Sequence, residues 1–230
     1  MQDTQPHILD HPIWYSLVGR HAEFATGNDQ ALRYQPDFFP GGAIAPDLTD
    51  PFAALSTQFA VGDSIGFFRS DDVQVEHDDW EVWFDVALVQ MVCADLQGDV
   101  STPGVELTAE HVPQMIELVE LTEPGPFMSR TIELGAYRGI FEAGRLAAMA
   151  GERMKPDGYC EVSAICTHPD YRRRGYARSL TVQIARGIIE RGEIPFLHVF
   201  HENESAIKLY ESLGFHKRRK LSVTAVKRIR

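Results

Sequence analysis

Apolar positions along the chain change their spacing, and each change predicts an element. Val162, Ile165 and Thr167 belong to a β-branched run that predicts a strand over Tyr159 to Thr167. Leu180, Ile184, Ile188 and Ile189 recur at helical spacing shortly afterwards, so the segment reads strand, basic turn, helix. Upstream, Val105-Glu106-Leu107 is a short strand, and Thr108 opens a helix that carries Val112, Met115, Ile116 and Val119 on one face. Pro124-Gly125-Pro126 breaks regular structure, and Leu134 to Glu142 with Arg145 to Arg153 predict a hairpin around Ala143-Gly144. Phe196 to Phe200 reads as a further strand. Residues 105–230 therefore read β-α-loop-β-β-β-α-β-α-β-β. In the first hundred residues, Pro12 opens a helix with Trp14, Leu17, Val18 and Ala22 on one face, and Ala31 to Tyr34 is a short strand. A loop follows over Gln35 to Pro46, then a second helix over Pro51 to Phe59. Ile65 to Arg69 and Val82 to Cys93 are strands separated by the acidic loop Ser70 to Asp79, and the run Trp83 to Val92 is apolar enough to lie mid-sheet. The fold class is mixed α/β. Two parts are expected, a smaller α/β module over 1–100 and a second domain over 101–230, with Ala94 to Gly104 as the linker.

The totals narrow this picture. The 230 residues are 44% hydrophobic and 24% charged, ordinary for a globular chain. No run approaches the roughly 18 apolar residues of a membrane span, and Met1-Gln2-Asp3-Thr4 lacks the features of a signal peptide, so a soluble cytoplasmic protein without a membrane partner is expected. Cys93, Cys160 and Cys166 have no metal-like spacing and read as reduced core residues; no metal is expected. Charge is unevenly spread: residues 1–100 hold three arginines, no lysine and 17 acidic residues, a net of −14, and the remainder holds 19 basic against 16 acidic, a net of +3. A net of −11 disfavours nucleic acid as a partner, and the split suits a C-terminal part that receives an anion. His7, His11, His21 and His77 fall at scattered positions without catalytic spacing.

The chemistry concentrates in Thr167-His168-Pro169-Asp170-Tyr171-Arg172-Arg173-Arg174-Gly175-Tyr176-Ala177. A helix beginning near Gly175 leaves its first N–H groups unpaired and places partial positive charge there, which suits an anion. Gly175 and Ala177 permit close approach of a phosphate, while Arg172, Arg173, Arg174 and Arg178 supply forked donors. The bland alternative is a solvated basic surface. Arg172-Arg173-Arg174-Gly175-Tyr176-Ala177 resembles the (Gln/Arg)-x-x-Gly-x-(Gly/Ala) signature of the GNAT superfamily of acyl-CoA-dependent N-acyltransferases. At the expected distance, Asn203-Glu204-Ser205-Ala206-Ile207-Lys208-Leu209-Tyr210-Glu211-Ser212-Leu213-Gly214-Phe215 resembles that superfamily's Asn-x-x-Ala-x-x-x-Tyr-x-x-x-Gly-Phe segment. Two motifs in order strengthen each other.

The resemblance implies a GNAT-like fold in the C-terminal half, acetyl-CoA as cosubstrate and direct transfer of the acetyl group to an amine. It implies that Ile165, Cys166 and Thr167 pair through their main chain with the pantetheine arm, that residues 172–178 hold phosphate, and that Asn203, Ser205 and Ala206 border the arm. Tyr210 falls where the family's tyrosine protonates the departing thiolate; packing with Leu209 and Leu213 is its alternative. Two residues compete for the base. Glu161 stands at the start of the strand, where burial would raise its pKa toward neutrality, and His198 stands on the next strand with an imidazole suited to physiological pH. Phe127 and Met128 lie where relatives have a substrate-facing loop, and can line an apolar acceptor pocket or merely belong to a rigid connector. The leading expectation is an N-acetyltransferase acting on a primary amine, and a homodimer is compatible with it. The competing one is a catalytically idle module of the same fold that binds CoA as sensor or scaffold.

Overall fold

The computed structural model describes residues 7–48, 51–70 and 77–230. The N-terminal Met1 to Thr4 and residues 71–76 of the acidic loop at Ser70 to Asp79 thus lie outside the described residues. The chain begins with α1 (Pro12–Leu17) and a small antiparallel sheet of β1 (Ala25–Gly27), β2 (Ala31–Tyr34) and β3 (Gly42–Ile44). Then come α2 (Pro51–Ser56), β4 (Ser64–Arg69) and the long β5 (Trp80–Cys93). The second half runs β6 (Val105–Glu106), α3 (Val112–Thr122), β7 (Tyr137–Glu142), β8 (Arg145–Glu152), β9 (Tyr159–Thr167), α4 (Tyr176–Glu190), β10 (Ile194–Phe200), α5 (Glu204–Glu211) and β11 (Phe215–Arg228).

Eight strands form one sheet in the order β4-β11-β5-β10-β9-β8-β7-β6. Among the paired strands of this sheet in the described residues, β9 and β10 run parallel, joined by the crossover helix α4, and the other pairs are antiparallel. Side chains alternate across the sheet. Ala148 of β8 and Leu197 of β10 enter the core shared with α4 and α5. Their neighbours Met149 and Phe196 face the other way, Met149 into the core with α3 and Phe196 into that with α1 and the small sheet. Residues 146–152 of β8 are all buried, as a strand covered on both faces must be. The β7–β8 hairpin turns through Ala143 and Gly144, both at positive φ, the twist that suits a two-residue connection.

This sheet crosses the boundary expected at residues 100 and 101. The sequence order closes on two strands after the last helix, but the structure has one, β11, of 14 residues. The second place is taken by β5, which pairs with β10 on one edge and with β11 from Phe215↔Cys93 to Arg228↔Trp80 on the other. Val89, Met91 and Cys93 of β5 enter the same core as α4. The apolar stretch Leu88 to Val92 is the part that lies between β10 and β11, as an apolar strand covered on both edges can, whereas Trp83 and Phe84 lie beside β11 alone and are exposed. Nor is the segment after β5 a loose linker. Ser179 and Gln183 of α4 each pair with it twice, at Thr102 and Gly104 respectively, over 2.8–3.1 Å. No helix among the described residues is long and apolar enough to cross a membrane.

Candidate active site

The site begins where two strands part. β9 and β10 pair from Ile194↔Tyr159 to Phe196↔Glu161 and no further, although β9 continues to Thr167 and β10 to Phe200. On its other edge β9 carries a bulge: Met149 faces Cys166 but Gly151 faces Ser163, and Ala164 takes φ 51° to absorb the extra residue. The two irregularities bend β9 away from β10 and open a wedge beside Ile165, Cys166 and Thr167. Main-chain groups along such a wedge have no strand partner, so an extended ligand arm can pair with them. The Thr167 hydroxyl is buried without a hydrogen-bond partner among the described residues, an orphan of the kind a bound ligand satisfies.

At the C-terminal end of β9 the basic turn leads into α4. Arg173 at φ 64° and Gly175 at φ 79° both adopt left-handed backbone, which directs successive N–H groups into a concave nest. Gly175 caps α4 without a side-chain bond, and a Cβ added there would meet nothing within 4 Å, so the space over the helix start is open. Arg172, Arg173 and Arg174 are exposed, with the Arg174 guanidinium 5.0 Å over the Tyr171 ring. Tyr176 turns its ring inward, and Ala177 follows it in the first turn. These features fit a diphosphate. Arg178 is differently engaged: it donates to the Ser212 hydroxyl at 2.8 Å, which ties α4 to the end of α5.

Asn203 caps α5, its side-chain oxygen accepting from Ala206 N–H at 3.1 Å and from the Ser205 hydroxyl at 3.0 Å. With the oxygen so used, the amide N–H₂ is the part left for a ligand. Beside it an open cavity of about 760 Å³ is lined by Val86, Ala87, Phe200, His201, Glu202 and Asn203, room enough for a drug-sized ligand. Tyr210 is buried in the core with its ring 6.2 Å from that of Phe215. Burial, then the neighbouring Cys166, push its pKa up, and its hydroxyl has no partner among the described residues. It is therefore a neutral donor. Cys166 is itself buried and its pKa is pushed up to about 12, so it is a thiol that packs.

The two base candidates touch each other. Glu161 accepts from Arg153 Nε at 2.8 Å and Nη2 at 3.0 Å, and lies 2.8 Å from His198 Nδ1. The expected raised pKa of Glu161 is corrected here: burial pushes it up, but the Arg153 guanidinium and His198 outweigh burial and hold it at about 2. On the far side of the ring, His198 Nε2 is 3.1 Å from Gln90 Nε2, whose amide also donates to the Leu9 carbonyl and whose oxygen accepts from Arg218. This fixes His198 with its proton on Nδ1 and its lone pair toward Gln90. Phe68 covers the ring at 4.5 Å.

The acceptor loop also differs from expectation. Phe127 is packed against Tyr137, ring to ring at 5.5 Å, in the core with α3, which fits the rigid-connector alternative. Met128 is partly exposed, and its N–H is held by Thr131. The loop is clamped to the N-terminal part, with Thr131 donating to the Phe38 carbonyl, Arg130 N–H to that of Asp37, and the Arg130 guanidinium over the Phe38 ring. Sequence reasoning missed Arg153, Gln90 and Glu142. Gln90 was findable, as the single uncharged polar residue inside the apolar run Trp83 to Val92.

The family model described as FR47-like protein matches residues 137–223, from β7 into β11. A protein from Novosphingobium aromaticivorans, assigned in its solved structure to the GNAT family of acetyltransferases, is 38% identical, with 97% of this chain and 99% of that one covered at a TM-score of 0.88. At 12% identity, a GNAT-family acetyltransferase from Colwellia psychrerythraea shares the fold with a TM-score of 0.54, over 86% of this chain and 80% of that one. A Drosophila protein does so at 14% identity and 0.60, over 86% and 73%. No curated protein matches.

Proposed function

The chain belongs to the GNAT family of acetyltransferases, and from that premise we propose that it transfers the acetyl group of acetyl-CoA to a primary amine by direct attack. The observation that carries this reading is the wedge between β9 and β10 opening onto the nest at Arg173–Gly175. One site is thus extended and main-chain lined, and the next is cationic and rich in N–H groups, the order of a pantetheine arm and a diphosphate.

In this reading Ile165 to Thr167 pair with the arm, residues 172–177 hold the diphosphate, and the Asn203 amide meets the arm from α5. The amine nitrogen forms its bond to the thioester carbonyl carbon, the carbon–sulfur bond breaks, and the sulfur takes a proton from the Tyr210 hydroxyl. The proton lost by the amine goes to His198 Nε2 when the Gln90 amide yields, with Glu161 holding the opposite ring nitrogen. A carboxylate at about 2 is too weak a base for an ammonium, so Glu161 positions the ring.

The full pairing of Glu161 and His198 favours a second reading, an idle module that binds CoA. Thiol release from acetyl-CoA against a panel of amines, read together with product mass, separates them. Turnover with an acetylated amine supports the enzyme. Thermal stabilisation by CoA without turnover on any amine supports the binder, and no stabilisation at all sinks both.

A further inference from the structure

The basic turn is already in contact with an anion that belongs to the chain. Glu142, the last residue of β7, accepts a hydrogen bond from the Tyr176 hydroxyl through Oε1, and the same oxygen lies 3.7 Å from Arg174 Nη1. Both partners flank Gly175: Arg174 precedes it and Tyr176 is the first residue of α4. Among the described residues, this is the one ion pair made by the run Arg172–Arg174. Glu142 directly precedes the tight turn at Ala143-Gly144, at the hairpin end that lies against the helix start. The pair is half exposed, with side-chain exposures of 49% and 35%, so an incoming anion can reach Arg174 and the interaction is screened by salt.

We propose that Glu142 is an internal counter-anion of the phosphate turn: it holds Arg174 and Tyr176 while the turn is empty, competes with the cofactor's diphosphate for them, and so sets acyl-CoA affinity. This rests on the acyl-CoA reading above. A diphosphate seated on the nest shares Arg174 with a carboxylate of like charge, and like charges this close to one turn oppose each other across a partly screened distance. The rival role is a strap that only fixes the Tyr176 ring by a hydrogen bond. Charge and hydrogen bonding separate the two, because Glu142→Gln keeps an acceptor oxygen for Tyr176 and removes the charge.

The experiment is calorimetric titration of wild type and Glu142→Gln with acetyl-CoA at low and high salt, with thermal unfolding as a check on the fold. Glu142→Gln is expected to bind about three- to tenfold more tightly at roughly 0.05 M salt, and the gain is expected to vanish near 1 M, where the Debye length shrinks to about 3 Å. A strap gives no salt-dependent gain. Equal or weaker binding by a folded Glu142→Gln overturns the inference, and failure of the wild type to bind acetyl-CoA overturns the acyl-CoA reading with it.

Discussion

Glu161 is 1% exposed, and a carboxylate alone in such a place would be held neutral. The forked guanidinium of Arg153 and the ring of His198 reverse this, since two charge-assisted bonds from one arginine outweigh the burial. The sign of the stability effect follows. The folded pKa, about 2, lies below the ordinary 4.5, so the contribution is complete above about 4.5 and is lost as pH falls toward 2. Between pH 5 and pH 3 the wild type should lose about 2 kcal/mol more unfolding free energy than Glu161→Gln, measured by urea titration at each pH. Parallel acid curves for the two proteins would show that the carboxylate is not ionised in the fold. Arg153→Met should cost about 3–5 kcal/mol at pH 7, because it leaves the buried Glu161 carboxylate without its forked partner. Tyr210 tests the chemistry. Tyr210→Phe keeps the ring and loses the donor, so turnover should fall about 100-fold while acetyl-CoA affinity stays within about twofold. Unchanged turnover would reduce Tyr210 to packing against Phe215. The sequence showed Glu161, His198 and Tyr210 as titratable groups at telling positions. It could not show that Arg153 reaches Glu161 across eight residues, because that depends on the register in which the chain beyond β8 stays paired with β9, where Arg153 N–H donates to the Glu161 carbonyl.

The turn between β9 and α4 was the most legible element, for a local reason. Nearby cations and a glycine at an open helix start are encoded within Arg172 to Ala177, whereas the left-handed backbone of Arg173 is no more signalled by its residue type than that of Ala164. Gly175→Trp fills the open space above the helix start and should weaken acetyl-CoA binding at least about tenfold in a protein that still unfolds cooperatively. At φ 79° a residue with a Cβ also costs about 1–2 kcal/mol of backbone strain, so a modest drop in Tm should accompany it. Wild-type affinity in a folded Gly175→Trp protein would remove the nest from the binding site. The wedge next to it was less legible. Nothing in Cys160 to Thr167 signals that Ala164 takes positive φ, since alanine rarely does so, and the bulge is imposed by pairing with β8. Phe127 was placed in an acceptor pocket by its position in the resemblance, with a rigid connector as the alternative, and its ring has a buried partner in Tyr137.

At the scale of the whole molecule, the N-terminal hundred residues contribute the strand that completes the sheet. β5 lies between β10 and β11, so a chain of residues 101–230 would have two unpaired inner edges and a core lacking Val89, Met91 and Cys93. It would also lack Gln90, which joins His198 to Arg218, and the residues Leu9, Ile13 and Leu17 that cover Phe196. Local patterns gave β5 as a strand, mid-sheet over Leu88 to Val92 but not over Trp83 to Ala87, and spacing along a chain says nothing about which sheet a strand enters. Strand partners are chosen by tertiary packing, and here the neighbour on one edge is more than a hundred residues away. Burying each of those three side chains contributes about 1.5–3 kcal/mol, so their joint loss is comparable with the whole stability of a typical domain. A chain of residues 101–230 should therefore show no cooperative thermal transition and no heat of acetyl-CoA binding, while the full chain shows both. A cooperative transition with acetyl-CoA affinity near that of the full chain would mean that β11 and β10 can close the sheet without β5, and that the N-terminal part is an appendage.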